Sequence, residues 1–205
     1  MRPKIPSVSV DLTRSRPARY PRSMVIPAQK SVSIVVPCYN EADALEAFIE
    51  CVQRVTAPLS DYGFEFLFVN DGSHDDTEAA LIRRMASDPR IRVVSLSRNF
   101  GQQRAITAGL AYCRGDYVVV LDADLQDPPA LIPELLARLE AGYDLVHTVR
   151  TDRSADSFAK RTGARLFYKV MRRWVLPELR ENAGEYKAFN RRVLEAFLLY
   201  RERVR

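Results

Sequence analysis

Between residues 32 and 149 the sequence alternates short, mostly apolar runs with segments whose apolar residues recur every three or four positions. Val32, Ile34, Val35 and Val36 make the first run, closed by Pro37. Phe64 to Val69, Ile91 to Leu96, Tyr117 to Leu121 and Leu145 to Val149 make the others. The stretches 41–55, 77–85, 101–112 and 129–139 lie between them and read as helices. In the first of these, Leu45, Phe48, Ile49 and Val52 share one face. Continuous apolar strands need cover on both sides. The pattern therefore predicts an α/β fold with a mostly parallel central sheet and helices on both faces. Ligands of such sheets collect beyond the carboxyl ends of the strands. Here those ends read Pro37-Cys-Tyr-Asn-Glu41, Asn70-Asp-Gly-Ser-His74, Ser97-Arg-Asn-Phe-Gly101 and Asp122-Ala-Asp-Leu-Gln-Asp127. Polar and acidic residues are thus expected along one sheet edge.

Composition narrows the function classes. With 47% hydrophobic and 28% charged residues, the chain has enough apolar material for a core and does not read as disordered. No run approaches the length of a membrane span, and the first residues lack the apolar segment of a secretion signal. Cys38, Cys51 and Cys113 form no C-x-x-C pair, which disfavours a zinc ribbon or a disulfide framework and points to a reducing compartment. G-x-G-x-x-G, a Walker lysine loop and a G-x-S-x-G elbow are all missing.

Charge is unevenly spread. Residues 1–30 hold seven basic side chains against one acidic, together with five of the twelve prolines, and read as a flexible basic arm. Residues 31–149 hold nine basic and 18 acidic side chains, whereas 150–205 hold 15 basic and seven acidic. An acidic centre suits a cation, and basic flanks suit a membrane surface, nucleic acid or phosphorylated substrates. A helix is expected over 158–175, with Phe158, Leu166, Phe167, Val170, Met171, Trp174 and Val175 on one side and six basic residues on the remainder. Such a helix can lie in a membrane interface or pack on the sheet domain. A last helix is expected from Arg191.

Asp122 and Asp124 follow a strand directly, so their carboxylates can share one hard cation, with Gln126 as a neutral oxygen ligand. The plainer reading of the same residues is turn and cap chemistry before Pro128-Pro129.

Taken together, the motifs resemble the family 2 glycosyltransferases with the nucleotide-sugar-binding GT-A fold. More narrowly they resemble the polyprenyl-phosphate branch, which includes dolichyl-phosphate mannose synthases and bactoprenol glucosyltransferases. The resemblance rests on Val35-Val-Pro-Cys-Tyr-Asn-Glu41, Val69-Asn-Asp-Gly-Ser-His-Asp-Asp-Thr77, Leu96-Ser-Arg-Asn-Phe-Gly101 and Leu121-Asp-Ala-Asp-Leu-Gln-Asp-Pro-Pro129. Lys160-Arg161, Phe167-Tyr168 and Ala183-Gly-Glu-Tyr-Lys187 match more weakly. It implies one glycosyltransferase domain over 31–205, with 150–205 as its basic, acceptor- and membrane-proximal part. It further implies Pro37, Tyr39 and Glu41 at the nucleoside and Asp71 as an acceptor from base or ribose. Asp122 would lie by the ribose and diphosphate, and Asp124 and Gln126 would hold Mg²⁺ or Mn²⁺. Arg150 and Arg153 would reach a phosphate of donor or acceptor, and Lys160, Arg161 and Lys187 the acceptor phosphate. The implied reaction transfers a hexose with inversion from a nucleotide sugar, UDP-glucose ahead of GDP-mannose, to polyprenyl phosphate at the cytoplasmic membrane face.

Two places depart from the pattern. Gly184-Glu-Tyr-Lys187 stands where the family often has Gly-Asp-Phe-Arg, and Ala164 where many relatives carry a serine. Relatives commonly continue into amphipathic and membrane-spanning helices, so either a truncated chain, a membrane-anchoring partner or surface contacts are expected. The other readings are a glycosyltransferase with a soluble or polysaccharide acceptor and a non-catalytic lipid-binding relative. A nucleic-acid-binding protein is disfavoured, because no helix-turn-helix or aromatic–basic strand pattern accompanies the basic residues.

Overall fold

The computed structural model describes residues 8–12, 29–150 and 183–199. The chain divides into a larger unit, Leu12–Val146 with Glu185–Arg205, and a smaller one, Met1–Asp11 with His147–Gly184. Within the proline-rich opening segment, Val8–Leu12 forms strand β1. The succession that follows is β2 (Lys30–Cys38), α1 (Ala42–Thr56), β3 (Tyr62–Asn70), α2 (Thr77–Ser87), β4 (Ile91–Ser95), α3 (Gln102–Tyr112) and β5 (Tyr117–Val120). Then come a 3-10 turn (Pro129–Leu131), α4 (Ile132–Glu140) and β6 (Leu145–Arg150). The last described elements are β7 (Ala183–Asn190) and α5 (Arg191–Leu199).

The expected alternation is therefore present, and its boundaries hold to within about two residues. Pro129 and Pro133 account for one difference: the helix expected from 129 opens as a 3-10 turn before α4 takes over.

In the larger unit the strands run β7-β5-β2-β3-β4. β2 lies parallel to both β3 and β5, with Val35 opposite Leu67 on one side and Val120 on the other. β4 is parallel to β3. β7 is antiparallel to β5 and places Lys187 opposite Val120. Helix α3 covers one face, where Val35, Leu67, Val69, Val118 and Val120 meet its Ala105, Ile106 and Leu110, with Leu194 of α5 beside them. Alternation along the strands sends Phe68 to the other face, where its ring meets Phe48 of α1 edge-on at 6.3 Å. Helix α1 is flanked there by α2 and α4. The central strands are buried on both faces, as their mostly apolar sequences require.

At the amino ends of the strands, polar side chains tie the sheet together. Asp116 accepts from both the backbone N–H and the hydroxyl of Ser31, at 2.9 and 2.8 Å. Glu65 receives Ser33 Oγ, Arg92 Nη1 at 2.8 Å and the Arg114 N–H at 2.8 Å. This leaves the carboxyl ends as the edge where loops are free to build a site.

Candidate active site

A cleft of about 340 Å³ opens beyond the carboxyl ends of β2, β3, β4 and β5. Pro37 lines it from the end of β2, Tyr39 and Glu41 from the β2–α1 turn, Asp71 from just after β3, and Asp122 and Asp124 from the turn after β5. The five residues expected at the nucleotide and the expected metal ligand Asp124 thus converge, because parallel strands bring the same end of each βα unit to one edge.

The turns are locked by one another. Asn40, in the left-handed region with φ 56°, accepts the His74 N–H at Oδ1 (2.8 Å) and donates its own N–H to Ser73 Oγ (3.0 Å). Thr77 Oγ1 accepts the Glu41 N–H at 2.8 Å, and Asp75 accepts the Ala42 N–H at 3.1 Å. His74 places its ring edge-on to Tyr39, 6.4 Å between centroids, which braces an aromatic side chain at the cleft. His74 is a loop residue with a supporting contact.

Negative charge is concentrated here. Burial holds the Glu41 carboxyl above its ordinary range, and the carboxylates of Asp124, Asp122 and Asp75 add to that shift. Asp124 Oδ1 accepts the Gln126 N–H at 2.9 Å, the local hydrogen bond that curls the Asp-Leu-Gln turn and places Leu125 at φ 58°. Gln126 itself is exposed beside that turn. Among the described residues no three His, Cys, Asp or Glu side chains are arranged to hold a metal ion on their own. Mg²⁺ and Mn²⁺ do not need such a cage, since one or two carboxylates plus substrate phosphates suffice. Asp122 and Asp124, near enough to Glu41 to hold its proton more tightly, are a donor set that fits such a cation.

Residues that the sequence reading did not single out complete the lining: Asn99, Gly101, Gln102 and Ala105 from the β4–α3 loop and the first turn of α3. The Arg-Asn-Phe-Gly run was the available signal, but its side-chain partners were not legible. Gln102 Nε2 donates to Asp122 Oδ1 at 2.6 Å. Both Asp71 oxygens are engaged by backbone, Oδ1 by the Phe100 N–H and Oδ2 by the Gly101 N–H, each at 2.8 Å. Lys187 is half-buried on β7, opposite the last residue of β5, two residues ahead of Asp122. Arg150 ends β6. Arg153, Lys160, Arg161, Ala164 and the helix expected over 158–175 lie outside the described residues.

The model of the glycosyl transferase family 2 matches residues 33–198. The chain belongs to that family. It is 41% identical over 172 residues to a bactoprenol glucosyl transferase of Shigella phage SfV, covering 84% of this chain and 56% of that one. It is also 36% identical over 183 residues to an undecaprenyl-phosphate 4-deoxy-4-formamido-L-arabinose transferase of Klebsiella pneumoniae, covering 88% and 55%. The family 2 chain thus spans about half the length of these curated relatives.

Among solved structures, a glucosyl-3-phosphoglycerate synthase of Mycobacterium tuberculosis in complex with Mn²⁺, UDP-Glc and phosphoglyceric acid is 28% identical, with a TM-score of 0.55. That match covers 80% of this chain and 58% of the other. A mannosyltransferase from Pyrobaculum calidifontis in complex with GDP-Man and Mn²⁺ shares the fold at TM-score 0.57 and 24% identity, over 83% and 47%. The GT-A fold expected from the resemblance is the fold observed. No helix among the described residues is long and apolar enough to cross a membrane.

Proposed function

We propose that this chain transfers a hexose from a nucleotide diphosphate sugar to polyprenyl phosphate, with inversion, at the cytoplasmic face of a membrane. UDP-glucose is the favoured donor and GDP-mannose the next. The observation that carries this reading is the convergence of Tyr39, Glu41, Asp71, Asp122 and Asp124 on one cleft, in a chain 41% identical to a bactoprenol glucosyl transferase.

The family resemblance supplies the roles, and the convergence of these residues on one cleft supports them. Pro37 and Tyr39 form the wall against which the nucleoside packs, and Asp122 lies toward the ribose and diphosphate. Asp124, with Gln126 beside it, would hold Mg²⁺ or Mn²⁺, whose chemistry is to neutralise the charge that builds on the departing diphosphate. The acceptor phosphate is already an anion at neutral pH. Its oxygen forms the new bond to the anomeric carbon as the bond to the diphosphate breaks, and that electron pair leaves with the nucleoside diphosphate. No proton has to be removed, so the chain's task is to align two phosphates. Lys160, Arg161 and Lys187 are assigned to the acceptor phosphate, and Arg150 and Arg153 to either one. The basic segment after residue 150 supports docking on an anionic membrane surface, directly or with an anchoring partner.

A phosphorylated soluble acceptor is the second reading, favoured by the likeness to the synthase solved with phosphoglyceric acid. One experiment separates the two. Sugar transfer from UDP-glucose and GDP-mannose is measured to a short polyprenyl phosphate and to 3-phosphoglycerate, with and without Mn²⁺. Transfer to the lipid phosphate alone, dependent on Mn²⁺, is expected; transfer to neither acceptor from either donor would defeat the assignment.

A further inference from the structure

Asp71 is only 2% exposed, and each of its carboxylate oxygens accepts a backbone N–H. The next residue, Gly72, has φ 65°, and a Cβ there would lie 2.4 Å from the Arg98 carbonyl carbon and 2.7 Å from the Asn99 nitrogen. The turn after β3 and the loop before α3 therefore touch backbone to backbone. Only a residue without a side chain permits that approach. Gly101, held by Asp71, is the residue on which α3 starts: its carbonyl accepts the N–H groups of Arg104 at 3.0 Å and Ala105 at 3.1 Å. Fixing Gly101 fixes the first turn, and Gln102 opens that turn with its amide on Asp122.

We infer that Asp71 and Gln102 are positioning residues for Asp122. Asp71 clamps the 98–101 loop, the loop sets the first turn of α3, and Gln102 holds the Asp122 carboxylate at the cleft. Asp122 shares the cleft with Asp124 and Glu41, so its carboxylate stands beside like charge. The amide donor offsets that repulsion and orders the side chain before a ligand arrives. This rests on the reading of the cleft as a nucleotide-sugar site.

The test compares wild type, Gln102→Ala, Gln102→Glu, Asp71→Asn and the Gln102→Ala/Asp71→Asn pair. UDP binding in Mn²⁺ is followed by calorimetry, turnover with UDP-glucose by kcat and KM, and the Phe100 and Gly101 amides by hydrogen exchange. Gln102 is exposed, so its variants should unfold at the wild-type temperature. Gln102→Ala should weaken UDP binding by about tenfold, the scale of one hydrogen bond to a charged group, and lower kcat as well. Gln102→Glu should be worse, because it sets a carboxylate against Asp122. Asp71→Asn should expose the two amides to exchange, and the double variant should lose little beyond the worse single one. Wild-type affinity and kcat in Gln102→Ala would overturn the inference, as would fully additive losses in the pair. A wild type that binds no nucleoside diphosphate would instead defeat the donor-site reading. The amide exchange then decides the clamp by itself: unchanged protection in Asp71→Asn overturns it.

Discussion

Gly109 of α3 lies so close to Val35 of β2 that a Cβ at position 109 would sit 2.6 Å from Val35 Cγ1 and 2.9 Å from Val69 Cγ2. Both valines are fully buried and β-branched, so neither can turn aside. Helix propensity favours alanine over glycine by about 1 kcal/mol, while overpacking costs about 1–3 kcal/mol. The clash should win. Gly109→Ala is expected to lower stability by about 1–2 kcal/mol in urea denaturation. Because α3 also carries Gln102 and Ala105 to the cleft, the same variant should bind UDP more weakly than wild type.

Asp124 is the carboxylate at the cleft with the greatest exposure to an incoming cation. Asp124→Ala should reduce sugar transfer by roughly 10²-fold or more, as when one charge-stabilising group is lost, with the unfolding transition unchanged. Excess chelator should silence the wild type to a similar degree. Full activity in chelator would contradict the assignment.

Acid should loosen the amino ends of the strands first. Hydrogen bonds from the Ser31 N–H and hydroxyl hold the Asp116 carboxyl below its ordinary range. The Arg90 guanidinium, through its hydrogen bond, does the same for Asp88. A depressed folded-state pKa gives stability that is present above the unfolded value, near about 4, and is lost as pH falls toward the folded value. Denaturation midpoints should therefore drop between about pH 5 and pH 3, and Asp116→Ala should flatten that dependence. An equally steep acid dependence in Asp116→Ala would show that Ser31 and Asp116 contribute nothing to it.

The thiols provide a test of burial. Cys38 and Cys113 are buried, and desolvation pushes both thiols up, Cys113 to about 12. Cys51 is partly exposed on α1. At pH 8 the native protein should take one alkyl group, on Cys51, and three after unfolding. Rapid native labelling of Cys113 would mean that the α3 face opens.

The fold class and the place of the site were legible in the residues because both are local properties. A short, β-branched, mostly apolar run such as Val32–Val36, closed by turn residues, reads as a buried strand from its own residues. Parallel strands must deliver Glu41, Asp71 and Asp122 to one edge, whatever the details of their packing. The DxD carboxylates and the Asn-Phe-Gly run needed no tertiary structure to mark that edge as chemical. Strand β7 was not legible. Ala183–Asn190 mixes glycine, charge and aromatic residues, and its identity as a strand depends on an antiparallel pairing with Tyr117–Val120, far away in sequence. Which partners the site residues choose was equally hidden. Nothing in the residues announces that the 98–101 loop places two N–H groups on Asp71, and Gln102 reads as a surface helix residue until α3 brings it to Asp122. Periodicity along the chain encodes which face of an element is buried. The conformation of a loop, and the hydrogen bonds it completes, exist only once distant strands have set the ends between which it must close.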